Sequence, residues 1–175
     1  MPAVLFASYL VPDRVLASFR DVTPETIRAL GARAVLTDID NTLATYDDAD
    51  PPKDVVLWCR RMADEGIAVV LLSNNSEARV SRFAEPLGVP AFAKAGKPSV
   101  RPIRQALGVI GCTPDEAVAL GDQLLTDVWG ARRAGLRAAL IVPPFKDKTT
   151  LFFRFKRLLE VPYMKQYYKR MEAEK

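Results

Sequence analysis

Ala34-Val35-Leu36-Thr37-Asp38-Ile39-Asp40-Asn41-Thr42-Leu43 is the stretch that decides the reading of this chain. Its apolar start reads as a buried strand. It stops on Asp38, Asp40 and Asn41, residue types that disfavour strands and favour turns. Two carboxylates thus stand at the carboxyl end of a strand, where open α/β sheets place their ligands. A spacing of two points both side chains the same way in extended chain, although a loop beginning here re-aims them. Taken alone, an Asp-x-Asp is more often a polar strand exit than a site. The rest of the chain decides against that reading.

Composition narrows the chemistry. The chain has 175 residues, about half of them hydrophobic, two cysteines and no histidine. The length suits one domain with a core of its own. Cys59 and Cys112 form no C-x-x-C pair. Cys/His zinc sites, Ser-His-Asp triads and Cys-His dyads are therefore excluded. Catalysis must rest on carboxylates, lysine, hydroxyls, backbone or a bound cofactor, and hard oxygen ligands favour Mg²⁺. Cysteine usage suits a cytoplasmic setting, and residues 1–10 lack the basic region and cleavage site of a signal peptide.

Strands and helices alternate along the chain. Val11, Val15, Leu16 and Phe19 suggest one face of a short helix starting after Asp13. Thr23-Pro24-Glu25 caps another, stopped by Gly31. The strand ending at Asp38 follows. Asp47, Asp48 and Asp50, beside Pro51 and Pro52, form an acidic loop without cation-site spacing. A helix over about 53–65 offers Val55, Val56, Trp58, Cys59 and Met62 to the core. Ile67 to Leu72 is the clearest strand, apolar throughout as befits one covered on both faces. Further strands are expected over 89–93, 117–120 and 137–142, the last closed by Pro143-Pro144. Helices are expected over 99–107 and 124–134. Five strands alternating with helices predict a parallel sheet with helices on both faces.

In such a sheet the strand ends share one edge. There the chain supplies Asp38-x-Asp40, Ser73-Asn74, Lys97 and Asp122-x-x-x-x-Asp127. Each signal is weak alone, since Ser73 and Asp122 can be helix caps and Lys97 a surface lysine. Four such loops in this order carry the argument. Carboxylates from two loops can hold one Mg²⁺. The cation and Lys97 would neutralise a transferring phosphoryl group. One carboxylate can attack phosphorus, and a second can act as acid and then base.

Asp38-Ile39-Asp40-Asn41-Thr42, Ser73-Asn74-Asn75, Lys97-Pro98 and Gly121 to Asp127 resemble the four motifs of the haloacid dehalogenase (HAD) superfamily. Together with Glu85-Pro86-Leu87-Gly88, the run over about residues 5–145 resembles the YqeG family of subfamily IIIA phosphatases. The resemblance implies a Rossmannoid three-layer sandwich and a phosphomonoester substrate. By it, Asp38 is the nucleophile and a metal ligand. Asp40 is the acid/base and offers its backbone carbonyl to the metal. Thr42 steadies the loop and, with Ser73 and Asn74, belongs to the substrate-binding set. Lys97 stabilises charge, Asp122 is a metal ligand, and Asp127 is a further acidic member, a ligand or a partner of one. The 35 residues from Asp38 to Ser73 and the 24 from Ser73 to Lys97 leave no room for a cap domain. Uncapped relatives often act on macromolecules or lipids, and phosphatidylglycerophosphate phosphatases are similar.

Charge is unevenly distributed. Residues 146–175 hold nine Lys/Arg and four Asp/Glu, and the remainder holds sixteen and seventeen. This basic amphipathic tail, read as an appendage of a single domain over 1–175, can lie on an anionic membrane surface, fold its apolar face onto the domain, or bind RNA. The competing reading is a non-catalytic adaptor that binds RNA, ribosome or a protein partner through the tail. Retention of Asp38, Lys97 and Asp122 together favours an enzyme.

Overall fold

A computed structural model describes residues 9–142 and 151–173 of the chain. Pro143-Pro144, the start of the tail and nearly all of the apolar N-terminus lie outside them. Six parallel strands form one sheet in the order β1-β6-β5-β2-β3-β4. They are β1 (Arg14–Leu16), β2 (Ala34–Thr37), β3 (Ala68–Leu72), β4 (Ala91–Phe92), β5 (Ala117–Gly121) and β6 (Arg137–Ile141). The helices are α1 (Pro24–Ala29), α2 (Lys53–Asp64), α3 (Glu77–Ala84), α4 (Arg101–Ile110), α5 (Trp129–Ala134) and α6 (Leu151–Ala173).

Alternation along the strands builds two cores. Val35, Val69, Leu71, Val118 and Leu120 face one side, where Val55, Trp58, Cys59 and Met62 of α2 and Val80 and Phe83 of α3 cover them. Ala34, Leu36, Val70 and Leu72 face the other, against Ile103, Ala106 and Leu107 of α4 and Ala131 of α5. Strands covered on both faces have no polar side to show, which explains the unbroken apolar runs. The order reverses beside β2, between strands reached in opposite directions. Asp38 and Asp122 leave adjacent strands at that point, where open α/β sheets bind ligands.

The structure corrects the expected elements in a few places. The helix expected after Asp13 is instead strand β1, so the sheet has six strands rather than five. Asp13 N donates to Ala138 O and Val142 N to Leu16 O, so the segment pairs with β6 and covers what would be an open edge. Only Phe19–Asp21 turns helically there, with Ser18 as its cap. Pairing with β6 replaces the short helix, with β-branched Val15 at the centre of the strand and Pro12 just before it, where it costs no ladder hydrogen bond. The helix expected over 124–134 opens with a π turn, Leu124–Val128, before α5.

Of the three fates open to the tail, α6 shows packing against the domain. Tyr163 and Met164 join the second core. Tyr167 is buried, and its hydroxyl accepts from Val15 N at 3.1 Å. Pro162 sits inside the helix. Phe155, Leu158, Leu159, Val161 and Tyr168 remain exposed. No helix among the described residues is long and apolar enough to cross a membrane.

Candidate active site

The four predicted loops do meet at one edge. Asp38, Asp40, Ser73, Asn74 and Lys97 line a cleft of about 310 Å³, with Tyr46, Asn75, Gln123, Thr126 and Lys156 completing its walls. At its floor Lys97 Nζ lies 2.8 Å from Asp38 Oδ1 and 2.6 Å from Asp127 Oδ1. Burial works against the Lys97 charge, but Asp127 and Asp38 outweigh it and hold its pKa above the usual value. Burial likewise pushes Asp38 up, to about 6, with Lys97 pulling it down and Asp127 adding to the rise. At neutral pH the group remains an anion on a poorly solvated floor.

Asn74 holds the lysine loop in place. Its Oδ1 accepts from Lys97 N at 2.8 Å, and its Nδ2 donates to Lys97 O. Ser73 is buried, and its Oγ accepts from Asn75 N, closing the turn into α3. Asp40 is held from the far side. Arg79 of α3 donates to its Oδ1, and Asn75 Nδ2 donates to its Oδ2 at 3.0 Å. Asn41 takes a positive φ of 61°, a conformation Asn tolerates better than most residues, and so turns the loop sharply after Asp40. Thr42 is buried beside a neighbouring small cavity rather than on the main cleft. Its backbone N–H closes the loop onto Ile39 O, while its hydroxyl finds no partner among the described residues.

Asp122 is 1% exposed and Asp127 7%. Burial, then the charges of Asp127 and Asp38, raise the Asp122 pKa well above the carboxylate range, opposed by Arg157 and Lys97. Asp127 Oδ2 accepts from Gln123 N and Thr126 Oγ1, so the side chain folds back over its own turn. Gly121 makes that possible. A Cβ there would lie 2.3 Å from Asp127 Cβ and Cγ.

Asp38, Asp122 and Asp127 each offer a carboxylate oxygen within 4.8 Å of the others. Three hard oxygens, buried and mutually repelling, with no histidine or thiolate nearby, fit a hard divalent cation. The acidic loop does not compete for this role. Asp50 pairs with Arg82, and Asp48 accepts from Thr45.

Sequence reasoning gave Asn75 no role beyond its place in the motif, and missed Arg79, Lys156, Arg157 and Glu160. Asn75 and Arg79 follow Ser73 within the same turn and helix, so they were reachable from the motif. Arg157 and Glu160 meet the site across about 35 positions of sequence, and Lys156 reaches the cleft wall from the same helix, which no local pattern signals.

A parallel sheet with carboxylates on adjacent central strands and a lysine beside the first is the layout of a HAD-type phosphatase. The HAD-hydrolase-like family model matches residues 94–149. The chain is 34% identical over 156 residues to "Probable phosphatase YqeG" of Bacillus subtilis, covering 89% of this chain and 90% of that one. The chain belongs to the YqeG family of HAD phosphatases. It is also 23% identical to "Phosphatidylglycerophosphate phosphatase 1, chloroplastic/mitochondrial" of Arabidopsis thaliana, over 91% of this chain but 48% of that protein's length. Among solved structures, an uncharacterised Listeria monocytogenes protein matches with TM-score 0.54 at 20% identity, over 67% of this chain and 84% of the other. NagD of Escherichia coli matches with TM-score 0.52 at 16% identity, over 69% and 93%. These two show the shared fold.

Proposed function

We propose that the protein is a Mg²⁺-dependent phosphomonoester hydrolase working through an aspartyl-phosphate on Asp38. The carrying observation is the Asp38–Lys97 contact on the floor of an open, polar cleft. Asp38 attacks phosphorus, and the bond to the leaving oxygen breaks. The Asp40 carboxyl gives that oxygen its proton. The Asp40 carboxylate then takes a proton from water, whose oxygen attacks the same phosphorus and releases phosphate and the Asp38 carboxylate. Lys97 offsets charge on the phosphoryl oxygens, and Asp127 keeps it aimed. Ser73 and Asn74 bind the remaining oxygens, with Thr42 steadying the loop from behind. Asp38, Asp122, the Asp40 carbonyl and, directly or through water, Asp127 would hold Mg²⁺. When bound, the ion neutralises phosphoryl charge and orients the ester.

The substrate we favour is bulky or lipidic, of the phosphatidylglycerophosphate kind. Nothing is inserted between the motif loops, so the cleft is uncapped, and the plant relative carries that activity in its name. Exposed Phe155, Leu158, Leu159 and Val161, close in sequence to Arg154, Lys165 and Lys169, would let α6 meet an anionic membrane surface from the cytoplasmic side. The chain then works as one domain with α6 as an integral part.

Aryl-phosphate turnover with Mg²⁺ and with chelator tests the reading. Metal-dependent turnover lost in Asp38→Asn supports it. A protein inert on lipid, sugar and nucleotide phosphomonoesters contradicts it and leaves the adaptor reading. Sedimentation with anionic vesicles, weakening with salt, tests the membrane step.

A further inference from the structure

The contacts of α6 reach the candidate metal loop itself. Arg157 Nη2 donates to Asp122 Oδ2 at 2.9 Å, and its Nη1 also donates to the Asp122 carbonyl. One turn on, Glu160 is 3% exposed. Its Oε1 accepts from Leu124 N at 2.8 Å and from Leu125 N at 3.3 Å, and its Oε2 accepts from Arg157 Nη1 at 3.2 Å. Those two backbone N–H groups open the turn Leu124–Val128, whose own cap residue, Gln123, makes no capping hydrogen bond. The first N–H groups of any helical turn lack partners within it. Here a carboxylate some 35 residues away in sequence satisfies them.

We infer that Arg157 and Glu160 are positioning residues of the active site, and that α6 sets the orientation of the Asp122 carboxylate for the divalent cation. The inference rests on the reading of Asp122 as a metal ligand. The segment from Asp122 to Asp127 is gripped from outside at two points. Arg157 fixes Oδ2 of Asp122, while Oδ1 accepts from Gln123 Nε2 at 3.4 Å, so both oxygens are oriented beside the carboxylates of Asp38 and Asp127. Glu160 fixes the backbone just after it, and so the start of the turn that presents Asp127 to Lys97. Glu160 and Arg157 also hold each other. A carboxylate buried this far is costly unless hydrogen-bonded and paired, and Glu160 is both. Tyr163, Met164 and Tyr167 anchor the helix on the far side of these residues. Ligand carboxylates depend on such partners for their orientation.

The test is calorimetric titration of the metal-free full-length protein with Mg²⁺, in parallel with Mg²⁺-dependence of turnover. Arg157→Ala and Glu160→Ala are expected to bind Mg²⁺ about 10–100-fold more weakly than the wild type. Turnover at saturating Mg²⁺ should recover more than affinity does. Arg157→Lys should restore part of the affinity. Glu160→Gln keeps an oxygen for Leu124 and Leu125 but loses the charge that faces Arg157, so its Mg²⁺ affinity is expected to fall between those of Glu160→Ala and the wild type, which keeps the test open should Glu160→Ala not fold. Wild-type affinity in a folded Arg157→Ala overturns the inference while leaving the metal site intact. A wild type that binds Mg²⁺ no better than Asp122→Asn overturns the metal site itself, and the inference with it.

Discussion

Arg79 presents two donors to a single oxygen of Asp40, Nε at 3.0 Å and Nη2 at 2.7 Å from Oδ1. The same guanidinium donates to Thr45 O and Asp48 O, so it ties the proposed acid/base to the loop that follows. The pair is well buried, with 14% and 5% of the side chains exposed. Removing one member of a buried pair leaves the other charge uncompensated, at about 3–5 kcal/mol. Arg79→Ala should lose stability on that scale in urea unfolding, with Arg79→Lys intermediate. An unchanged midpoint in Arg79→Ala would show that the pair is solvated in solution.

Asp40→Asn should turn over aryl phosphate far more slowly than the wild type and still bind Mg²⁺. The proposed metal contact at this residue is a backbone carbonyl, which the substitution keeps. Mg²⁺ titration followed by thermal shift checks this. Loss of metal binding would place the Asp40 side chain itself on the ion.

Asp38→Asn should change the pH dependence of stability in the metal-free protein. Burial lifts Asp38 from an ordinary 3.8 to about 6. Between those values the native state holds a proton that the unfolded chain has released, so stability from this group is full below about 4 and lost as pH rises through 6. Asparagine does not titrate. The variant should gain on wild type across that window, by roughly 2–3 kcal/mol at most. Parallel stability curves for the two proteins between pH 4 and 7 would contradict the desolvated floor.

Gly121→Ala should disturb the site through contact alone. The new methyl would meet the Asp127 side chain at 2.3 Å. Overpacking of this kind costs about 1–3 kcal/mol, and here the yielding group is the one that aims Lys97. Turnover should fall more than the melting temperature suggests. Wild-type turnover in the variant would show that Asp127 is dispensable.

Much of this architecture was legible in the sequence. The run at Ala34-Val35-Leu36 read as a buried strand and that from Ile67 to Leu72 as one covered on both faces, and both are packed on two sides. Asp38, Ser73, Lys97 and Asp122 read as one edge because each follows or closely succeeds a parallel strand. Strand β1 was not legible. Arg14–Leu16 is three residues long, and its strand character comes from pairing with β6, a partner over 120 positions away. Arg157 and Glu160 were hidden for the same reason. They read as part of a basic helix, and only tertiary packing brings them onto Asp122 and Leu124.

The proposed mechanism centres on covalent chemistry at Asp38. Rapid acid quench of the wild type during turnover of a phosphomonoester with Mg²⁺, followed by peptide mass spectrometry, tests that most directly. A phosphoryl group is expected on the peptide that carries Asp38, absent from Asp38→Asn. Steady turnover by Asp38→Asn, or a phosphoryl group trapped on another residue, would contradict the mechanism.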